Sequence, residues 1–251
     1  MDMDLAGRAC LVTGSTAGIG LATAHELVQE GARVVTCGRR EAPQIGETAH
    51  IVVDLSLASE PARLVGEAAA ILGGLDVLVN NAGIARQARF EDIDDEEWEA
   101  YFQLNLMSYI RAIRAALPFL RASSQAAIVN LASSSGKRPS TGMPHYSVMK
   151  AGVLSLSRLV ADLYAADGIR CNAVAPGPTA TDIWLAEGGL ADQLGGDRAV
   201  ALDKVAAGRP LGRLGTPEEV AAVIVFLASP RSANVTGAAW SVDGGTVPII
   251  I

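Results

Sequence analysis

Short, wholly apolar runs and longer stretches of helical periodicity succeed one another along the whole chain. Residues 9–12 are the first apolar run, followed by a glycine-rich turn and an amphipathic stretch to about Glu30. Further apolar runs lie at 33–37, 51–53, 75–79, 126–132, 169–175 and 238–242. Runs this short and apolar predict parallel strands covered on both faces, and the segments with a period of 3.6 between them predict the covering helices. Ser59-Glu60-Pro61 opens a helix running to about Leu72, and 94–121 predicts a long helix with acids in its first turn and arginines in its last. A third continues past Lys150 to about Ala166. A fourth starts at Thr216-Pro-Glu-Glu219, a capping box with proline at the first helical position, and ends near Ala228. Two segments break the rhythm. Pro43 and Gly46 interrupt 41–50, so the helix between strands two and three is expected to be missing or reduced to a turn. Residues 182–214 are long, irregular and glycine-punctuated, and their apolar members Trp184, Leu185, Leu190 and Leu194 predict a lid closing on something apolar.

This alternation predicts an α/β fold, and 251 residues with no shift of composition are expected to form one domain over 1–251. Half of the residues are hydrophobic and 26 are glycine, as a buried parallel sheet under alanine-rich helices would require. A net charge of −7 argues against nucleic acid and anionic membrane as partners. The acidic start resembles no signal peptide and no apolar run reaches the ~20 residues of a membrane span, so a cytoplasmic location is expected. Cys10, Cys37 and Cys171 are odd in number and without paired spacing, which fits core residues and no metal site. The apolar tail 247–251 is expected to be buried in a subunit interface.

Candidate chemistry gathers where strands end. Tyr146 and Lys150 lie four apart on a helix and so share a face. An ammonium beside a phenol favours phenolate and brings a pKa of ~10 toward neutrality, which suits an acid–base role; the plain alternative is an exposed pair on a solvated face. Ser133, at the end of the fifth strand, could hold a carbonyl oxygen for that tyrosine. His145 beside it reads as a pocket-wall or surface imidazole. At the first strand–helix junction Thr13-Gly-Ser-Thr-Ala-Gly-Ile-Gly20 offers backbone N–H groups and a helix amino terminus to a pyrophosphate, through Gly14, Ser15, Thr16, Gly18, Ile19 and Gly20. After strand two, Gly38-Arg39-Arg40 carries no acid for a ribose 2′-hydroxyl but two arginines able to meet a 2′-phosphate, favouring NADP over NAD. Asp54, at the tip of strand three and followed by Leu55, could accept from an adenine amino group or cap the next turn. Asn80-Asn81-Ala82-Gly83 ends strand four as a turn that could lie against a cofactor. Asn105, polar in an apolar stretch of helix, needs a partner. Pro176-Gly177, with Thr179 and Thr181 after it, faces the same edge.

The order and spacing of these motifs resemble the short-chain dehydrogenase/reductase family: T-G-x-x-x-G-x-G at 13–20, Asp54, N-N-A-G at 80–83, Asn105, Ser133, Y-x-x-x-K at 146–150, P-G at 176–177 and D-G-G at 243–245. The resemblance implies a Rossmann-type doubly wound sheet of seven parallel strands, in the order 3-2-1-4-5-6-7, and a homotetramer. It implies that Tyr146 exchanges a proton with the substrate oxygen and Ser133 orients that oxygen. Lys150 would hold the nicotinamide ribose and lower the Tyr146 pKa, and Asn105 would hold a water relaying protons. The expected activity is NADP(H)-dependent reduction of a ketone or oxidation of a secondary alcohol, with NAD as the alternative cofactor. Relatives of this size point to 3-oxoacyl thioesters, and Arg86, Arg89, Lys137 and Arg138 near the mouth could meet an anionic carrier. A catalytically silent nucleotide sensor and an epimerase or dehydratase are the rival readings. The filled catalytic positions argue against the first, and the lack of room for a larger substrate domain against the second.

Overall fold

The structure, a computed structural model, describes residues 2–41, 43 and 45–248. Seven parallel strands form one sheet in the order β3-β2-β1-β4-β5-β6-β7: β1 (Ala9–Val12), β2 (Arg33–Gly38), β3 (Ala49–Val52), β4 (Val77–Asn80), β5 (Ala127–Leu131), β6 (Arg170–Pro176) and β7 (Ala239–Val242). Side chains alternate across it. Leu11, Val35, Leu78 and Ile128 join the core under α2 (Glu60–Leu72) and α4 (Ser108–Ala122), whereas Cys10, Val34, Val77 and Val129 join the core under α1 (Gly18–Gln29) and α10 (Pro217–Ala228). Because both faces are covered, every strand residue from β1, β4 and β5 is apolar or internally hydrogen-bonded; each large apolar side chain so buried contributes roughly 1.5–3 kcal/mol. Asn80 and Asn130, the polar exceptions, bond each other side by side at 2.9 Å. The three cysteines are buried and free, and burial pushes Cys37 and Cys171 up to about 12, which makes them inert.

Two segments differ from the sequence expectation. The helix expected over 94–121 is two, α3 (Asp95–Phe102) and α4, joined by a π-helical turn at Gln103–Met107 that carries Asn105. A π turn inserts one residue into the helical repeat, and sequence periodicity does not mark where. The lid at 182–214 is not structureless: it holds α7 (Asp182–Leu185), α8 (Leu190–Gln193) and α9 (Arg198–Ala207). Asp197 caps α9 by accepting from Val200, and Arg198 pairs with Asp192 of α8 at 2.5 Å. Between β2 and β3 no helix occurs among the described residues, as expected; Thr36 and His50 bridge the strands at 2.9 Å instead. Val247 is half-buried and Pro248 exposed, while the rest of the tail for which an interface was expected, 249–251, lies outside the described residues. No described helix is long and apolar enough to cross a membrane.

Candidate active site

The strand order reverses between β1 and β4, and the crevice outside the carboxyl ends of the strands opens there. It is a cleft of about 820 Å³ whose floor is the sheet edge and whose roof is the lid. At one end the turn after β1 forms its wall. Gly14 has φ +63°, and a β-carbon on it would fall 2.8 Å from the Ala82 Cα, so the first and fourth strand ends touch backbone to backbone. Asn81 fixes this contact by donating to the carbonyls of Thr13 and Gly14 at 2.8 and 2.9 Å, while the Thr13 hydroxyl accepts from the Asn81 and Ala82 amides. The first turn of α1 carries no acid, and its Ala17 cap leaves the amino-terminal N–H groups without a side-chain acceptor. These bare N–H groups border the cleft, and so a phosphate fits here on geometry.

Gly14, Thr16, Gly18, Ile19, Arg39, Arg40, Asp54, Leu55, Asn81, Ala82 and Gly83 all line the cleft, as do Pro176, Gly177, Thr179 and Thr181 from the end of β6. Ser15 and Gly20 do not. Ser15 is buried, its hydroxyl donating to the Val12 carbonyl at 2.8 Å and accepting from the Cys37 amide at 2.9 Å, so it shapes the turn from behind. Gly20 packs where a β-carbon would collide with Asn81 Nδ2 and the Gly14 carbonyl. Arg39 and Arg40 are exposed, and neither is in an ion pair among the described residues. Asp54 holds Ser56 through its amide at 3.0 Å and its hydroxyl at 2.7 Å, bonds that keep its carboxyl below the usual range.

Farther along the cleft β5 ends and Ser133 caps α5 (Ser134–Lys137), accepting from the Ser135 amide at 3.1 Å. Gly136 lets α5 press onto α6 (Pro144–Tyr164): a β-carbon there would lie 2.7 Å from the Lys150 carbonyl carbon and oxygen. This contact brings Ser133 near enough to Tyr146 for its hydroxyl to pull the phenol pKa down. Lys150, one turn on, is 2% exposed. Its Nζ donates to the Leu131 carbonyl at 2.7 Å and to the Tyr109 hydroxyl at 3.4 Å, and lies 5.7 Å from the centroid of the Tyr146 ring. Burial holds the Lys150 ammonium down to about 7. The phenol of Tyr146 is pushed up by the same desolvation, against the pull of Ser133. Its direction is thus opposite to the sequence expectation, because a lysine that is itself desolvated is charged only in part near neutrality.

Asn105 is fully buried behind this wall, accepting from the Ile84 amide and donating to the Ile84 carbonyl, both at 2.9 Å. His145, also fully buried, stacks on Tyr101 with centroids 3.7 Å apart and meets Glu97 at 3.1 Å, so it faces away from the cleft, within a packed aromatic group. Of the cations expected at the mouth, only Arg138 lines the cleft. Arg86 and Arg89 pair with Glu97 and Glu91, and Lys137 donates to the Ala239 carbonyl at 2.7 Å. Sequence reasoning missed Tyr109, which signals nothing in a run of apolar helix, the lid residue Arg209 and a clasp across the roof. In that clasp the Gln193 side chain of α8 accepts from the Gln87 amide of the opposite wall at 2.8 Å.

A family model described as enoyl-(acyl carrier protein) reductase matches residues 14–247. The chain belongs to the short-chain dehydrogenase/reductase family. Its relatives in this family include an indene-carboxyl-CoA reductase of Mycobacterium tuberculosis, 39% identical over 95% of this chain and 93% of that protein. A 3-oxoacyl-[acyl-carrier-protein] reductase of Thermotoga maritima is 35% identical over 98% of this chain and 100% of its own length. Among solved structures, L-sorbose reductase from Gluconobacter frateurii, complexed with NADPH and L-sorbose, superposes with a TM-score of 0.91 at 32% identity, covering 100% of both chains. Like these family members, the chain is an oxidoreductase acting between CH–OH and C=O groups and binds a nicotinamide cofactor.

Proposed function

We propose that the protein is an NADP(H)-dependent reductase of ketones, or in reverse a dehydrogenase of secondary alcohols, with Tyr146 as acid–base group. The carrying observation is that Ser133, Tyr146 and Lys150 line the same cleft as the glycine turn of β1. Once bound, the nicotinamide supplies or accepts hydride at the carbonyl carbon. The chain contributes the rest. Tyr146 donates its hydroxyl proton to the carbonyl oxygen, Ser133 hydrogen-bonds that oxygen, and hydride plus proton convert the ketone into the alcohol. Burial keeps the Tyr146 phenol protonated, as a proton donor must be. Lys150 would hold the ribose hydroxyls and return a proton toward Tyr146. A buried ammonium held near 7 releases a proton readily at neutral pH. Asn105 keeps one acceptor site and one N–H beyond its two bonds to Ile84, enough to hold the relay water.

Arg39 and Arg40, which follow a β2 whose last residue is Gly38 and not an acid, support NADP(H) over NAD(H). Asp54 would accept from the adenine amino group, and the bare N–H groups of α1 would receive the pyrophosphate. The commitment of Arg86, Arg89 and Lys137 to internal partners weakens the case for a docked acidic carrier, and a 3-oxoacyl group remains one ketone among those that fit. We assign a cytoplasmic homotetramer by family resemblance. A panel of ketones and 3-oxoacyl thioesters followed at the nicotinamide absorbance, with each cofactor in turn, tests the reading. Reduction of at least one ketone, faster with NADPH, is expected; no turnover of any carbonyl would overturn it.

A further inference from the structure

We infer that Arg209 selects substrates whose apolar body ends in a carboxylate. This rests on the ketone reductase reading and adds to it the chemistry of the far end of the cleft. Arg209 follows α9 in the lid and lines the same cleft as Tyr146 and Ser133. It is half-buried and forms no ion pair among the described residues. Its Nη1 reaches only the Gly208 carbonyl at 3.3 Å, and its Nε is buried with no hydrogen-bond partner. A buried N–H of a cation left unbonded is costly, so such an atom calls for an acceptor.

The location fits a substrate group. Pro210 and Leu211, next in the chain, pack on Gly245 and Gly244, and the Leu211 amide donates to the Gly244 carbonyl at 3.3 Å. Asp243, just before these glycines, would touch a β-carbon on Gly177 at 2.9 Å, so Arg209 is held to the β6–β7 end of the cleft. Asp243 is near enough to act on the charge of Arg209, yet its two oxygens are taken by the amides of Gly245 and Val247, each at 3.0 Å. The cleft that Arg209 lines has Trp184, Leu190, Leu194, Val205 and Val247 among its apolar walls. A planar guanidinium lining a cleft with apolar walls matches a carboxylate by two parallel N–H···O bonds. Because it lines the cleft while Arg86 and Arg89 lie outside that lining and are already paired, the anion it takes belongs to a small molecule inside the cleft.

The test uses the NADPH-loaded enzyme, with acetoacetate and levulinate set against their methyl esters. The wild type should show a KM for the better acid roughly tenfold or more below that of its ester. Arg209→Gln should raise the KM for that acid by roughly tenfold to a hundredfold, with the ester KM and NADPH Kd within about twofold and Arg209→Lys intermediate. An equal rise for acid and ester would reduce Arg209 to lid packing, and a weakened NADPH Kd alone would assign it to the dinucleotide; either overturns the inference. Calorimetric titration of the NADP-loaded protein with pentanoate, which has no ketone, reads the site without turnover. Binding lost in Arg209→Gln would uphold the carboxylate site even if no ketone were reduced, an outcome that sinks only the reductase reading. Absence of pentanoate binding to the wild type would sink the carboxylate site and leave that reading standing.

Discussion

The two ends of the cleft are built from different materials. At the β1–β4 end the wall is backbone: Gly14 against Ala82, N–H groups of α1, and side chains such as Asn81 and Thr13 that are spent on holding carbonyls and amides in place. At the lid end the wall is side chain, carried by helices of four to ten residues with Ile183, Leu185 and Leu194 partly exposed to solvent. A backbone wall admits one ligand shape whatever the sequence around it, whereas a wall of short helices changes its chemistry with each substitution. On the proposed function, one end serves a shared dinucleotide and the other a particular substrate.

The sharpest break of this contrast is at the point where the ends meet. Tyr146→Phe removes the proton donor and should lower kcat by about 10²–10⁴ while leaving the NADPH Kd unchanged, as single-turnover assays and fluorescence titration would show. Retained activity would move the acid elsewhere. Next, Gly14→Val places a branched side chain at φ +63° with 2.8 Å to Ala82, and should weaken NADPH binding by roughly a hundredfold. Leu194→Ala, in the lid, should leave the NADPH Kd intact and change only the KM for apolar ketones, by several-fold. If both variants affected the cofactor alike, the division of labour would be wrong.

Lys150 gives a test of the buried wall that needs no ligand. Its folded pKa of about 7 lies below the 10.5 of an unperturbed lysine. Between those values the unfolded chain binds the extra proton, so this group makes stability rise with pH, by at most about 1.4 kcal/mol per unit; below 7 the full penalty applies and above 10.5 none. Urea midpoints from pH 7 to 9 should climb less steeply in Lys150→Met than in the wild type, and parallel slopes would refute the desolvated lysine. A further effect is expected on cofactor choice. Arg39→Asp should cut the NADPH-to-NADH ratio of kcat/KM by about tenfold, measured with one ketone, and an unchanged ratio would remove Arg39 from the 2′-phosphate.

Much of the backbone end was legible in the sequence because its constraints act on residue type at fixed spacing. Gly14 and Gly18 are forced by left-handed φ, Ser133 by the end of an apolar strand, and Tyr146 with Lys150 by the helical repeat. The π turn at Asn105 was not, since a single inserted residue leaves the apolar pattern readable as one helix. The downward shift of Lys150 escaped because burial is a property of the assembled α5, α6 and β5, and the sequence showed only its adjacency to a phenol. Arg209 sits in a stretch rich in glycine and proline, where an arginine reads as solvated until packing shows its Nε enclosed.

The bridge from Gln193 to the Gln87 amide joins two uncharged groups, and Leu190 beside it is 2% exposed. A roof fastened in this way has no Coulombic component for counterions to weaken. With the substrate site empty, its rate of lifting should therefore be indifferent to added salt and track temperature through the desolvation of one leucine.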